Sequence, residues 1–220
     1  MIEKRAYYKL SFLFLAMPEI HNIIFDLGNV ILNLDYSLTV KEFRKLGYHD
    51  FDIWFLKPEE KELLEKFEVG AISPDEFRKK IKKYFNSKIS DLKIDSAWNA
   101  MLLNIPIERI NFLKKLKKKY RLFLLSNTNE IHIHNYSNYL KNTFKVDNLL
   151  DIFEKEYYSH VIKMRKPNKE IFQYVLNDNN LRSANTLFVD DSVENILGAE
   201  QIGIQTHLLK KDETILSIRL

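Results

Sequence analysis

The 220-residue chain contains no cysteine. This absence excludes disulfide frameworks, cysteine-ligated zinc sites and thiol nucleophiles together, and it fits a protein that folds in a reducing compartment. We therefore expect a cytoplasmic location. The chain also lacks a tract of one charge, since 34 Lys and Arg residues stand against 30 Asp and Glu and the basic residues are dispersed. Because the net charge is only +4, nucleic acid is not an expected partner.

A long apolar run is also missing. Residues 10–17 form an apolar segment behind several basic residues, in the manner of a signal peptide, but a membrane span needs ~20 apolar residues. No small-residue cleavage site follows the segment. We therefore predict that the protein does not bind a membrane and that residues 1–16 are an N-terminal extension, with Met1 or Met17 as the natural start.

Short apolar runs alternate with longer amphipathic segments, which is the pattern of a parallel sheet covered by helices. A chain of this length with 45% hydrophobic residues can bury a substantial core. The fold class is therefore predicted to be α/β with a parallel-sheet core. The predicted strands lie at residues 23–25, 122–125, 157–161, 187–189 and 204–209, of which the third is the weakest.

Residues 26–121 separate the first two predicted strands, far more than one crossover helix needs, and most of them have helical patterns. The clearest helix begins at Ser73, where Ser73, Pro74 and Glu76 form an N-cap, a first-turn proline and a capping box. A second amphipathic helix, over residues 107–116, leads back to the sheet. We predict a core made of residues 17–35 and 104–220, with an all-helical cap at residues 36–103.

Carboxylates follow two of the predicted strands. Asp26 ends the first strand, and the pair Asp190 and Asp191 ends the fourth. In an open parallel sheet the carboxyl ends of the strands lie at one edge, where ligands bind. A carboxylate in this position is costly without a cation or a function, and paired carboxylates suit Mg²⁺. For Asp190, a cap on the following helix explains the residue equally well.

Polar and basic residues follow other apolar runs. Ser126 and Asn127 end the second strand with a hydroxyl and an amide, which can donate hydrogen bonds to phosphoryl oxygens, although turn chemistry explains them equally well. Lys166 precedes Pro167, a residue that suits the first turn of a helix. The sequence therefore places a possible fixed positive charge at Lys166.

Taken in order, these segments resemble the four signature motifs of the haloacid dehalogenase superfamily. The resemblance spans residues 19–209, and the chain is similar in particular to the bacterial alpha-D-glucose-1-phosphate phosphatase branch. It implies a Rossmann-like parallel-sheet core with the insertion as its helical cap. The four segments are Asp26-Leu-Gly28, Ser126-Asn127, Lys166-Pro167 and Asp190-Asp191.

The resemblance implies a Mg²⁺-dependent phosphatase acting on a small phosphomonoester, such as the sugar phosphate alpha-D-glucose 1-phosphate. Asp26 would attack phosphorus to form an aspartyl-phosphate, while Asp26, the Gly28 carbonyl and Asp191 hold Mg²⁺. Phosphoryl transfer depends mainly on positioning and charge stabilisation, so such a division of roles is physically reasonable. The phosphate group would be held by Ser126, Asn127 and Lys166.

One departure from the superfamily pattern concerns the proton-transfer group. Phosphatases of this superfamily usually carry a second Asp two residues after the nucleophile as general acid and base, but this chain has Gly28, which cannot transfer a proton. Asp35 could assist, or it could anchor the hinge into the cap. We favour the anchor, because geometry must be shown before a residue is assigned as a base.

Two other interpretations of the same motifs stay open. A haloacid dehalogenase would use Asp26 to attack carbon without a metal, and a non-catalytic module of the same fold would only bind its ligand. Lys166 and Asp191 fit phosphate better than a halide substrate, and their retention together with Asp26 favours an enzyme. The expected partner is a small phosphate ester, and the expected assembly is a monomer or a homodimer.

Aromatic residues in and after the insertion are weaker candidates for the site. The sequence predicts His132 at the surface rather than in a substrate pocket. Trp54 and Trp98 are predicted to lie in the core of the cap rather than to stack on a sugar.

Overall fold

A computed structural model describes residues 18–54 and 57–219 of the chain. The predicted extension at residues 1–16 and the alternative start at Met17 lie outside the described residues. Within the described residues, five parallel strands form one sheet in the order β3-β2-β1-β4-β5, which confirms the predicted α/β fold. The strands are β1 (Asn22–Phe25), β2 (Arg121–Ser126), β3 (Lys155–Tyr158), β4 (Thr186–Asp190) and β5 (Gln205–Leu208).

The third strand begins and ends earlier than the sequence predicts. The predicted strand at residues 157–161 continues past Tyr158, where the chain instead turns into a short helix, α8 (Ser159–Ile162). The Ser159 hydroxyl is buried and accepts a hydrogen bond from Thr128 N at 2.9 Å, while Val161 is 63% exposed. The pattern of residues 157–161 therefore did not predict where the strand ends, because Val161 faces solvent.

Helices cover both faces of the sheet. In β1, Ile23 and Phe25 point to one face and Ile24 to the other, as the two-residue period of a strand requires. Helices α6 (Ile107–Leu116) and α7 (Glu130–Phe144) pack on the first face. Helices α9 (Lys169–Asp178) and α10 (Val193–Glu200) pack on the second.

Two helices differ in detail from the sequence prediction. In α6 the apolar residues Ile110, Leu113 and Leu116 are buried as expected, but Ile107 at its start is 51% exposed. Helix α9 begins after Asn168, which is its N-cap, so Pro167 does not lie in the first turn.

Five helices between β1 and α6 enclose a further hydrophobic core. They are α1 (Tyr36–Lys45), α2 (Phe51–Trp54), α3 (Pro58–Glu68), α4 (Pro74–Tyr84) and α5 (Asp91–Asn99). Aromatic rings dominate this core: Phe67 and Phe77 stack with centroids 4.2 Å apart, and Trp54 is fully buried. Helix α4 begins with the predicted capping box of Ser73 and Glu76. Ile131 from α7 belongs to the same core, so these helices pack against the sheet domain.

Two chain segments connect these helices to the sheet domain and pair with each other. Leu34 and Leu102 form an antiparallel bridge, and Asp35 N donates to the carbonyl of Met101 at 2.9 Å. The Asp35 carboxylate caps α1 by accepting from Ser37 N at 2.9 Å and from the Ser37 hydroxyl at 2.6 Å. The paired segments make a two-stranded connection near the predicted boundaries at residues 35 and 104, which stay a prediction.

Among residues 18–54 and 57–219, no helix has both the length and the apolar character needed to cross a bilayer.

Helix α10 lies against the Lys166–Pro167 segment at Gly198. A Cβ atom added at Gly198 would lie 2.1 Å from the Pro167 carbonyl oxygen and 3.2 Å from the Phe172 ring. The close approach of the two backbones therefore requires glycine at this position.

We expect Gly198→Ala to lower the free energy of unfolding by about 1–3 kcal/mol, because the new methyl group must displace backbone rather than a flexible side chain. Urea denaturation measures this loss. Leu197→Ala, at an exposed position of the same helix, is the control and should change stability by no more than about 0.5 kcal/mol. Equal stability of the Gly198→Ala variant and the wild type would contradict the predicted clash.

Candidate active site

The ammonium group of Lys166 joins three strands at the carboxyl edge of the sheet. Its Nζ donates to Asp26 Oδ1 at 2.5 Å, to Asp190 Oδ2 at 2.7 Å and to the Leu125 carbonyl at 2.9 Å. The Lys166 side chain is 1% exposed and that of Asp190 is 0% exposed. All three ammonium donors are therefore satisfied, and the ends of β1, β2 and β4 are held at one point.

The main chain of Lys166 is held by the amide side chain of Asn127. Asn127 Nδ2 donates to the Lys166 carbonyl at 2.9 Å, and Lys166 N donates to Asn127 Oδ1 at 2.9 Å. From the sequence we expected this amide to donate to phosphoryl oxygens. In the structure it instead orients Lys166, and phosphate binding by Asn127 stays a prediction.

Protein donors engage both carboxylate oxygens of Asp190, for which the sequence left open a cation site or a cap on the next helix. Its Oδ2 accepts from Lys166, while its Oδ1 accepts from Ser192 N at 2.8 Å and from Asn195 Nδ2 at 3.1 Å, at the start of α10. The carboxylate therefore binds the lysine and fixes the helix that follows. Because its oxygens are engaged by protein donors, Asp190 is poorly placed to bind a metal.

Burial and neighbouring charges shift the pKa values at this edge. Burial raises the pKa of Asp26 to about 7, with Lys166 opposing the rise and Asp190 adding to it. For Lys166, burial acts to lower the pKa, but the carboxylates of Asp26 and Asp190 outweigh it and the pKa is raised. Lys166 is thus the charged centre of the cluster. With Asp191 also nearby, three carboxylates face one ammonium, and a divalent cation would balance the excess charge.

The residues expected to hold Mg²⁺ lie around one cavity. Asp26, Gly28 and Asp191 line it together, and Asp191 Oδ2 accepts from Asn29 Nδ2 at 3.0 Å. Partial burial raises the pKa of Asp191, although Asn29 acts in the opposite direction. The described part of the chain has no group of three or more His, Cys, Asp or Glu arranged for a metal. Two carboxylates and a carbonyl therefore suit Mg²⁺, which keeps several waters, better than a metal that needs an all-protein cage.

The cavity has a volume of about 430 Å³ and lies between the sheet edge and the inserted helices. Ser126 lines it, and the one hydrogen bond that its hydroxyl makes to the described residues is a long one of 3.5 Å to the Asn127 carbonyl, so the hydroxyl can bind a ligand. The sheet side of the cavity is formed by Asp26, Ser126, Lys166 and Asp191. The side formed by inserted helices carries Tyr36, Leu64, Phe67, Glu68 and Trp98.

His132 lines this cavity, so its predicted surface location was wrong. The ring lies parallel to the Trp98 ring with centroids 5.2 Å apart, and its Nδ1 is 2.9 Å from Asn99 Oδ1. Burial lowers the pKa of His132 to about 3, so the imidazole is neutral at physiological pH. Trp98 is buried in the core of the inserted helices as predicted, but its contact with His132 also places it at the cavity wall.

The position that lacks the usual acid is filled by a neighbouring side chain. A Cβ atom at Gly28 would lie 2.7 Å from Leu34 Cδ1. Asp35 does not lie among the residues that line the cavity, and its carboxylate is engaged by Ser37 at the start of α1. These contacts favour the anchor interpretation of Asp35 over a role in proton transfer.

Sequence reasoning missed the cavity residues contributed by the inserted helices, chiefly Tyr36 and Glu68. The positions of both residues depend on tertiary packing. Helical periodicity predicts the apolar face of a helix, but it does not predict which polar residue at the end of the helix contacts another domain. A local signal existed only for Glu68, which ends α3 just before Gly70. Gly70 has a φ of 58°, and a Cβ atom added there would lie 2.5 Å from the His160 carbonyl oxygen.

The chain is similar to known hydrolases over most of its length. The sequence model of the haloacid dehalogenase-like hydrolase family matches residues 20–203. The chain is 30% identical over 187 residues to the D-ribitol-5-phosphate phosphatase of Bacteroides thetaiotaomicron, which covers 85% of this chain and 90% of that protein.

Solved structures show the same fold. A HAD family enzyme from Bacteroides thetaiotaomicron superposes with a TM-score of 0.82 at 37% identity, covering 89% of this chain and 96% of that one. The same enzyme in complex with magnesium and inorganic phosphate gives a TM-score of 0.79 at 38% identity, covering 88% and 96%. An L-2-haloacid dehalogenase, RSc1362, has a TM-score of 0.60 at 16% identity over 89% of this chain and 88% of that chain, and this likeness shows the fold alone.

We expect Asp190→Ala to lower the free energy of unfolding by about 3–5 kcal/mol, because it leaves the buried ammonium with one carboxylate and removes the acceptor for Ser192 N. Glu154→Ala is the control, since Glu154 pairs with Arg121 at an exposed site and its loss should cost about 0–1 kcal/mol. Urea denaturation of both variants measures the difference. Similar losses in the two variants would show that the buried cluster is not a stability determinant.

Proposed function

Because the chain belongs to the haloacid dehalogenase-like hydrolases and is a phosphatase of that family, we propose that it hydrolyses a small sugar or sugar-alcohol phosphate. The proposed reaction passes through an aspartyl-phosphate on Asp26. The observation that carries the proposal is the Lys166 ammonium, which is buried between Asp26 and Asp190 and fixes the nucleophile beside a cavity. A single positive charge held in this way is suited to a transferring phosphoryl group.

The two oxygens of Asp26 are in different environments. Oδ1 accepts from Lys166, whereas Oδ2 accepts no hydrogen bond from the described residues. Oδ2 is therefore the oxygen proposed to attack phosphorus, with Lys166 restricting the rotation of the carboxylate. Ser126 lies at the end of the neighbouring strand, and its hydroxyl is proposed to donate to a phosphoryl oxygen.

The donor set of the cavity fits Mg²⁺, and the relative from Bacteroides thetaiotaomicron has been solved with magnesium and inorganic phosphate. We assign the ion to Asp26, the Gly28 carbonyl and Asp191, with Asn29 holding Asp191 in place. A bound Mg²⁺ supplies charge neutralisation on the phosphoryl oxygens. Asp190 supports the site through Lys166 and α10 rather than as a ligand.

The volume of the cavity limits the size of the proposed substrate. A volume of about 430 Å³ accommodates a small polyol phosphate, and Asn129, Glu68 and Tyr36 offer polar contacts beside the Trp98 ring. The sequence motifs suggest alpha-D-glucose 1-phosphate, whereas the named relative acts on D-ribitol 5-phosphate. Our proposal includes both substrates, because each joins a phosphate to a hydroxylated chain or ring of similar size.

The alternative functions have weaker support. A haloacid dehalogenase attacks carbon and needs no metal. Here Asp191 lies at the same cavity as Asp26, and the negative charge of the two carboxylates calls for a metal cation. A non-catalytic module would not need a nucleophile with a free oxygen next to a buried ammonium. The assembly, monomer or homodimer, stays a prediction.

We expect the purified protein to release phosphate from alpha-D-glucose 1-phosphate, D-ribitol 5-phosphate or a related ester with Mg²⁺, and to lose this activity with a chelator. Asp26→Asn should lower kcat by about 10³-fold or more, since an amide is a poor nucleophile. A colorimetric phosphate assay over a panel of esters ranks the substrates. Phosphate release that persists unchanged in the Asp26→Asn variant would disprove the proposed mechanism.

Asn29→Gly should raise the Mg²⁺ concentration for half-maximal activity by about 10–100-fold, because residues that orient a metal ligand typically contribute this much. Glycine is the appropriate replacement, since Asn29 has a φ of 56° and a β-carbon would keep the backbone strained. Asn33→Ala is the control: Asn33 pairs with Asn104 rather than with Asp191. A metal titration in which the two variants behave alike would rule out this role for Asn29.

A further inference from the structure

The geometry of phosphoryl transfer restricts where a proton donor can act. The attacking and leaving oxygens lie roughly in line through phosphorus. Because Asp26 approaches from the sheet edge, the leaving oxygen faces the inserted helices across the cavity. Gly28 cannot serve it, and the space beside Gly28 is taken by Leu34. The donor must therefore come from another residue that lines the cavity.

Six titratable side chains line the cavity within the described residues, and five have other roles or unsuitable acidity. Asp26 and Asp191 are the proposed nucleophile and metal ligand, and all three Lys166 donors are engaged. Partial burial and the charge of Asp191 raise the pKa of Tyr36 to about 12, so its hydroxyl is a weak acid. His132 is neutral near pH 7 and has no imidazolium proton to donate. The sixth side chain is Glu68.

Glu68 is held in a defined position with one oxygen free. Arg165 Nε and Nη2 both contact Glu68 Oε2 at 3.1 Å, whereas Oε1 accepts no hydrogen bond from the described residues. The Ser159 hydroxyl donates to the Glu68 carbonyl at 2.6 Å, which fixes the end of α3 against the sheet domain. Arg165 directly precedes Lys166, so the carboxyl group is tied to the same segment that carries the ammonium.

On the basis of the proposed function, we propose that Glu68 is the general acid and base that this chain uses in place of an aspartate at position 28. In the first step, Asp26 Oδ2 forms a bond to phosphorus, the phosphorus–oxygen ester bond breaks, and the leaving oxygen takes the proton of the Glu68 carboxyl. In the second step, water attacks the aspartyl-phosphate from the vacated side. Glu68 takes the proton of that water, phosphate leaves, and the Asp26 carboxylate is restored.

The charges around Glu68 are compatible with both steps. Burial raises its pKa, Arg165 and Lys166 act to lower it, and Glu65 adds to the rise. Because the net shift is upward, a larger fraction of the group carries a proton near neutral pH than for an exposed glutamate, which the first step needs. Tyr36 is the other titratable group of the inserted helices at this cavity. The ion pair with Arg165 keeps the carboxylate formed by proton loss in place for the second step.

The test compares two esters and two variants. Glu68→Gln removes the proton but keeps the shape, and Glu65→Gln is the matched control, because Glu65 also contacts Arg165 at 3.1 Å but does not line the cavity. One ester is a sugar-alcohol phosphate, whose alkoxide leaving group needs a proton. The other is p-nitrophenyl phosphate, whose phenolate leaves without one. The wild-type protein is measured in parallel, with pH profiles for each ester.

We expect Glu68→Gln to lower kcat on the sugar-alcohol phosphate by about 10²–10⁴-fold, to change the formation of the aspartyl-phosphate from p-nitrophenyl phosphate far less, and to abolish the alkaline limb of the pH profile. Burst kinetics separate that first step from its hydrolysis. Two results would overturn the inference while leaving the proposed function intact. One is that the two variants change the activity on both esters equally. The other is that Glu68→Gln slows aspartyl-phosphate formation equally for both esters. Absence of phosphate release by the wild type would overturn both.

Discussion

The buried ammonium of Lys166 is the interaction on which the rest of the structure depends. Removing one lysine and two aspartates from water is costly, and only satisfied contacts in good geometry can offset that cost. The sheet supplies this geometry, because parallel strands end at a common edge and bring Asp26, Leu125 and Asp190 within hydrogen-bonding distance of one Nζ. The remaining contacts, from Asn127 and from the glycine at position 198, hold the segment that carries the lysine.

The inserted helices bring to the cavity side chains that the sheet edge lacks. The sheet contributes the proposed nucleophile, a buried ammonium and the proposed oxygen ligands for a metal, but Gly28 gives it no group for proton transfer. The helices close the opposite side of the cavity and place Glu68 there, fixed by Arg165 and Ser159. Under the proposed mechanism, a division of this kind would let the chemistry of phosphate stay constant while the helices determine which leaving group fits and how it is protonated.

The sequence predicted those parts of the site that depend on local patterns. Asp26, Ser126 and Asp190 could be placed because each directly follows an apolar run, and strand ends in a parallel sheet meet at one edge. Lys166 could be named, but its burial between two carboxylates could not, since that requires the register of β1 and β4. His132 and Glu68 were misjudged or missed for the same reason: their positions depend on how α7 and α3 pack, and helical periodicity does not give contacts between separate elements.

The proposed reaction requires Asp26 to carry the phosphoryl group during turnover. The most direct measurement is a rapid-quench reaction with a phosphorus-labelled ester, followed by acid denaturation, proteolysis and peptide mapping. We expect transient, hydroxylamine-sensitive label on the peptide that contains Asp26, formed before phosphate is released. Turnover of the same ester with no label on that peptide at any time would rule out Asp26 as the phosphorylated residue.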